Sequence, residues 1–150
     1  MKPKLLVSAC LLGTPCRYDG KSKKNEAVCA LAERFELIPV CPEVLGGLPT
    51  PRTPSERRGA CVVRKDGRDV TAEYRRGAEC ALETAQREGV LAAVLKERSP
   101  SCGSGEIYDG TFTGALTAGD GVTAELLKAN GITVYGEGEQ SLAEFLCSVS

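Results

Sequence analysis

The sequence predicts an α/β fold with a mainly parallel sheet flanked by helices, on two observations. Short apolar runs alternate with segments of helical periodicity along the whole chain. One of those runs, residues 90–95, is almost uninterruptedly apolar, as expected of a central parallel strand buried on both faces. At 150 residues the chain fits a single domain, 1–150, long enough to bury a sizeable core.

The elements follow in order. Residues 4–9 are an apolar first strand, and residues 10–20 a loop containing glycine and proline. Residues 25–35 are helical, because Val28, Leu31 and Phe35 recur on one face and Asn25 suits the cap. Residues 37–40 make a short second strand. Residues 41–53, rich in proline and carrying Gly46-Gly47, read as irregular loop. Residues 60–63, backed by Lys65-Asp66-Gly67-Arg68, predict a strand and tight turn.

Residues 70–88 are the clearest helix: Thr71 is its expected cap, Tyr74, Ala78, Ala81, Leu82 and Ala85 share a face, and Gly89 ends it. After the strand at 90–95, residues 97–119 read as one long Gly/Ser-rich loop, a length usually associated with function. A helix at 120–130 closed by Gly131, a strand at 132–135 and a helix at 141–147 complete the chain.

Hydrophobic residues make up 42% and charged residues 26%, an ordinary soluble composition. Nineteen basic and 20 acidic side chains give a net charge of −1, which argues against nucleic acid as the main partner. No histidine is present, so Ser-His and Cys-His nucleophile pairs and mixed Cys/His zinc sites are excluded. No apolar run reaches transmembrane length. Leu6-Val7-Ser8-Ala9-Cys10 looks like a lipoprotein box, but the stretch before Cys10 has an apolar core of only Leu5-Leu6-Val7 where an export signal needs about 7–15 apolar residues. The expectation is a cytoplasmic protein with reduced thiols and no membrane partner.

Three of the eight cysteines, Cys10, Cys41 and Cys102, each lie just past an apolar run. If those runs are parallel strands, the thiols converge beyond the carboxyl edge of one sheet, where open α/β sheets bind ligands. The other cysteines read differently. Cys29 and Cys80 fall on helices off the apolar stripes, Cys61 in a strand and Cys147 near the end, as small half-buried hydrophobes.

Cys-x-x-Cys pairs are absent. A closed zinc site would need Cys16 as fourth thiolate. A [4Fe–4S] cluster on three thiolates would leave one iron open as a Lewis acid. Glu43, two residues after Cys41, should stand near such a metal, and Ser99, Ser101 and Asp19 lie in the same loops. Carboxyl groups beside a bound metal are suited to proton transfer. Arg57-Arg58, Arg75-Arg76 and Lys21, Lys23 and Lys24 read as solvated patches. Gly103-Ser104-Gly105 lacks the third glycine and the following helix of a dinucleotide cradle.

Ser8-Ala9-Cys10-Leu11-Leu12-Gly13 with Cys16-Arg17-Tyr18-Asp19-Gly20 forms a first motif. Cys41-Pro42-Glu43 with Gly46-Gly47-Leu48-Pro49-Thr50-Pro51-Arg52 forms a second, and Lys96 with Ser99-Pro100-Ser101-Cys102-Gly103 a third. Together they resemble the bacterial thiouracil desulfurase family over about residues 3–136. The resemblance implies a Rossmann-like domain holding a [4Fe–4S] cluster through Cys10, Cys41 and Cys102. The fourth iron is then free for the sulfur of a thiolated pyrimidine such as 2-thiouracil, and the reaction is a non-redox desulfuration to uracil and hydrogen sulfide. Glu43 is the expected proton shuttle and Ser101 its catalytic companion. Asp19 is expected to contact the substrate ring, and Cys16 to line the pocket or complete an altered site. Two other readings stay open: a zinc- or cluster-stabilised binding module without turnover, and a thiol redox protein cycling Cys10 and Cys16.

Overall fold

The computed structural model describes residues 2–149. Four parallel strands form the central sheet: β1 (Lys4–Ser8), β2 (Glu36–Val40), β5 (Ala92–Leu95) and β8 (Val134–Gly136), in the order β2-β1-β5-β8. All four run the same way, so the expected α/β fold, Rossmann-like in its parallel order, is the one observed.

Alternation along the strands explains the continuous apolar runs. Leu5, Val7, Ala92 and Val94 face α1 (Glu26–Ala30) and α5 (Glu139–Ser148), meeting Val28, Leu31, Leu142 and Phe145. Leu6, Ala93 and Leu95 face the opposite layer, α3 (Thr71–Glu88) and α4 (Val122–Ala129), meeting Ala85, Ala124 and Leu127. A strand covered on both faces favours apolar residues at successive positions.

Helix boundaries follow their caps. Asn25 Oδ1 accepts the Val28 N–H at 3.0 Å, and α1 then tightens into a 3-10 turn, Leu31–Glu33, before Phe35. Gly89 ends α3 at φ 64°, in the left-handed conformation that suits glycine. Thr71 does not cap α3. It is the first helical residue, its N–H donates to Asp69 Oδ1 at 2.8 Å, and its hydroxyl accepts the Val62 N–H at 2.9 Å.

Two predicted loops contain structure. The 41–53 segment opens with a four-residue helix, α2 (Pro42–Leu45), whose proline sits in the first turn, where its missing N–H costs nothing. The 97–119 segment holds a hairpin of β6 (Glu106–Tyr108) and β7 (Leu116–Ala118). A second hairpin joins β3 (Ser55–Arg58) to β4 (Cys61–Arg64), and Val62, Val70 and Tyr74 pin it to α3.

Arg57 and Arg58 are not a solvated patch. Arg57 donates to the Gly59 and Asp120 carbonyls, both at 2.7 Å, and Arg58 Nε to the Gly110 carbonyl at 2.7 Å. Cys61 and Cys147 are exposed rather than half-buried, while Cys29 and Cys80 are partly buried as expected.

Candidate active site

The parallel order puts the carboxyl ends of β1, β2 and β5 side by side, with β1 and β5 adjacent and β2 on the far side of β1. The connections leaving β1 and β5 therefore lead to opposite sides of the sheet, and a crevice opens between these two strands. A cavity of about 650 Å³ occupies that edge and is lined by Cys10, Cys16, Cys41, Glu43, Arg52 and Cys102, among others. Its volume falls in the range of small-molecule and cofactor sites.

Each thiol is delivered by a distinct local device. After β1 the chain turns into a 3-10 helix, Ala9–Leu12, ended by Gly13 at φ 104°, and buries Cys10. Cys41 precedes α2, so Glu43 falls in that helix's first turn. The loop after β5 wraps the start of α4: the Pro100 carbonyl accepts the Val122 N–H at 2.9 Å, and the Ser101 carbonyl the Thr123 N–H at 2.8 Å. Ser99 Oγ accepts the N–H groups of Ser101 and Cys102 at 3.1 and 3.0 Å, fixing Cys102 in the buried corner.

Cys16 stands between two of these thiols. The Cys41 thiol donates to the Cys16 backbone carbonyl at 3.8 Å, and the Cys16 side chain also interacts with those of Cys41 and Cys10. The bond to Cys10, with help from burial, raises the Cys16 pKa; the bond to Cys16 followed by burial raises that of Cys41. Burial, reinforced by the charge on Glu43, pushes the Cys102 thiol up to about 12, against the opposing pull of the Ser8 and Ser101 hydroxyls. Without a metal the Cys16, Cys41 and Cys102 thiols stay protonated, so a metal that binds there must displace their protons.

Glu43 is held by two buried donors. Arg52 Nη2 and the Tyr74 hydroxyl both donate to Glu43 Oε2, at 3.0 and 3.1 Å. Arg52 Nη2 also donates to the Cys16 carbonyl at 3.0 Å, tying the first cysteine loop to the second. Burial opposes the Arg52 charge, but Glu43 outweighs it and the guanidinium pKa rises. Burial, then Glu43, raises the Tyr74 phenol, which therefore remains a donor.

The predicted residues part company here. Cys10, Cys16, Cys41, Cys102 and Glu43 share the cavity. Ser101 is fully buried and its hydroxyl lies 2.8 Å from Thr123 Oγ1, on α4 and outside the cavity lining. Asp19 is exposed and closes its own turn, accepting the Lys21 N–H at 3.0 Å. Arg52 and Tyr74 carried no predicted role. In the sequence Arg52 only ends a motif, and Tyr74 belongs to the apolar stripe of its helix.

The donor set suits a cluster of soft metal ions. Four thiols line the one cavity, and soft thiolates select Fe–S centres or zinc. Among the described residues no three Cys, Asp or Glu side chains close on a single ion. Arg52 Nε is buried with no partner among the described residues, leaving a donor in the wall to offset the charge that thiolates bring.

Fold and site together define an α/β protein whose reactive cavity is lined by cysteines beyond the carboxyl edge of a parallel sheet. The family model for 2-thiouracil desulfurase matches residues 5–139, and the chain belongs to that family. It is 44% identical over 145 residues to the uncharacterized protein YbbK of Bacillus subtilis (strain 168), covering 90% of this chain and 96% of that one. A solved structure described as a [4Fe–4S]-dependent thiouracil desulfidase, TudS, superposes with a TM-score of 0.91 at 51% identity, covering 99% of this chain and 98% of that one.

Proposed function

We propose that this protein holds a [4Fe–4S] cluster through Cys10, Cys41 and Cys102 and removes sulfur from a thiolated pyrimidine, a free small molecule of the 2-thiouracil type, in the cytoplasm. The observation that carries this reading is the meeting of the three strand-end thiols with the doubly held Glu43 in one cavity. Family membership and the likeness to TudS support it.

The reaction exchanges one carbon–sulfur bond for one carbon–oxygen bond with water, giving uracil and hydrogen sulfide without any change of oxidation state. When bound, the cluster supplies a Lewis-acidic iron lacking a protein ligand, suited to the soft thiocarbonyl sulfur. The chain supplies the proton handling. Arg52 and Tyr74 occupy Glu43 Oε2, leaving Oε1 to take a proton from the attacking water and return it to the departing sulfur.

Lys96 stands at the cavity wall, its Nζ held by Glu137 Oε2 at 2.8 Å and the Glu97 carbonyl at 3.2 Å. Cys16 stays outside the ligand set and acts through its carbonyl, the shared anchor of Arg52 and the Cys41 thiol. Asp19 shapes the turn that presents Arg17 and Tyr18, and Ser101, beside Cys102 in the loop, ties that loop to Thr123 of α4.

Anaerobic purification followed by metal analysis tests the reading. About four irons and four acid-labile sulfides per chain are expected, with sulfide released on addition of 2-thiouracil. A colourless protein containing zinc overturns the cluster. A loaded cluster with no turnover of any thiopyrimidine reduces the protein to a binding module.

A further inference from the structure

Two hairpins outside the parallel sheet supply a separate wall of the same cavity: Glu56 comes from β3–β4, and Tyr108, Phe112 and Gly114 from β6–β7. The two are latched. Glu56 Oε1 accepts the backbone N–H of Gly110 at 2.9 Å and that of Phe112 at 3.1 Å. From the same strand Arg58 donates to the Gly110 carbonyl and lays its guanidinium 6.0 Å from the Phe112 ring centroid. Gly110, at φ 93°, has no room for a side chain, because a Cβ there would overlap the Arg58 side chain.

Phe112 itself has φ 58°, a left-handed conformation that a bulky residue adopts only under constraint. Nothing in the packing of the hairpin requires it: Phe112 lies in the β6–β7 connection, half-buried, and belongs to none of the buried apolar clusters. A strained aromatic held at a cavity wall by a carboxylate and an arginine is strain kept for a site.

Resting on the desulfurase reading above, we propose that Phe112 is the residue that selects a flat heterocycle: the Glu56–Arg58 latch fixes its ring as the surface against which the pyrimidine stacks. Planar bases gain substantially from such stacking on aromatic side chains.

The test uses the cluster-loaded protein with two readouts, KM for 2-thiouracil and the calorimetric Kd for uracil, which binds without turnover. Phe112→Gly removes the ring and relaxes the backbone at the same time. Expected are rises of about tenfold in both constants, a smaller change in kcat, unchanged iron content and no fall in the thermal midpoint. Phe112→Trp should recover both constants, and Glu56→Ala should raise them by releasing the latch. Both constants within twofold of wild type for Phe112→Gly overturn the proposal. If wild type binds uracil yet releases no sulfide, the desulfurase reading fails while the uracil Kd of Phe112→Gly still decides the role of the ring. A wild-type protein that binds neither compound overturns both.

Discussion

Gly77 lies directly beneath Pro42: a Cβ at Gly77 would overlap the Pro42 carbonyl oxygen, and one at Gly46 would overlap the Glu73 carbonyl. Two helices therefore meet backbone to backbone, with α2 pressed onto α3 at the point where Cys41 and Glu43 leave the sheet. Helix propensity alone favours alanine over glycine at position 77 by about 1 kcal/mol. Overlap with a carbonyl fixed in a helix outweighs that, at about 1–3 kcal/mol for overpacking.

Gly77→Ala is thus expected to lower the denaturant midpoint and, by displacing α2, to reduce iron bound per chain after anaerobic reconstitution. A stabilised Gly77→Ala protein with full iron content would show that the close approach does not position the site.

Tyr74 and Arg52 should separate stability from chemistry. Tyr74→Phe keeps the ring in the small cluster with Val62 and Val70 but removes one of the two donors to Glu43 Oε2. The loss of a partly buried hydrogen bond costs about 1 kcal/mol of stability. If Glu43 moves the proton, its loosened carboxylate lowers kcat by about tenfold, with KM and iron content little changed. Arg52→Gln should be more severe, since the guanidinium also ties down the Cys16 carbonyl. Steady-state kinetics of both variants check this, and an unchanged kcat in Tyr74→Phe removes the positioning role.

Much of this was legible in the amino-acid order, for reasons particular residues make plain. Leu5-Leu6-Val7 and Ala92-Ala93-Val94-Leu95 are buried on both faces, and only a parallel strand between helical layers needs that. Cys10, Cys41 and Cys102 were legible because each comes after an apolar run that forms a strand of the parallel sheet. β3 was not, because Ser55-Glu56-Arg57-Arg58 is wholly polar; its side chains clamp the 110–112 loop, Asp120 and Glu125 instead of entering a core. β6 and β7 are three residues each, too short for periodicity to register. Pro42, in a proline-rich stretch, reads as a loop signal although proline also opens helices. Tyr74 belongs to a core stripe and to the site at once, and a stripe pattern cannot reveal what its hydroxyl meets.

The cysteines divide into two groups by position. Cys10→Ala, Cys41→Ala and Cys102→Ala each remove a thiol at a strand end beside the cavity and should abolish cluster loading. Cys61→Ala and Cys147→Ala, both exposed, should leave it intact. Cys16→Ala is the informative case. Its carbonyl, which anchors Arg52, survives the substitution, so iron content should stay near wild type. Loss of iron in Cys16→Ala would make it a fourth ligand and close the coordination position that the reaction requires.

Asp69 offers a stability test remote from the thiols. Its carboxylate accepts the Thr71 N–H at 2.8 Å at the entrance of α3, the helix that carries Tyr74 and Gly77. That backbone hydrogen bond, and a second from the Thr71 side chain, hold the Asp69 carboxyl below its usual value of 3.8. A carboxylate depressed in the folded state contributes stability that is fully present above the unfolded value and is lost as pH falls through the folded one. Asp69→Ala should therefore lower the thermal midpoint at pH 7. The gap from wild type should hold down to about pH 4 and narrow below it, as wild-type Asp69 itself becomes protonated. Thermal melts of both proteins between pH 7 and pH 3 decide it: a gap constant across that range would mean that the carboxylate charge plays no part in holding the start of α3.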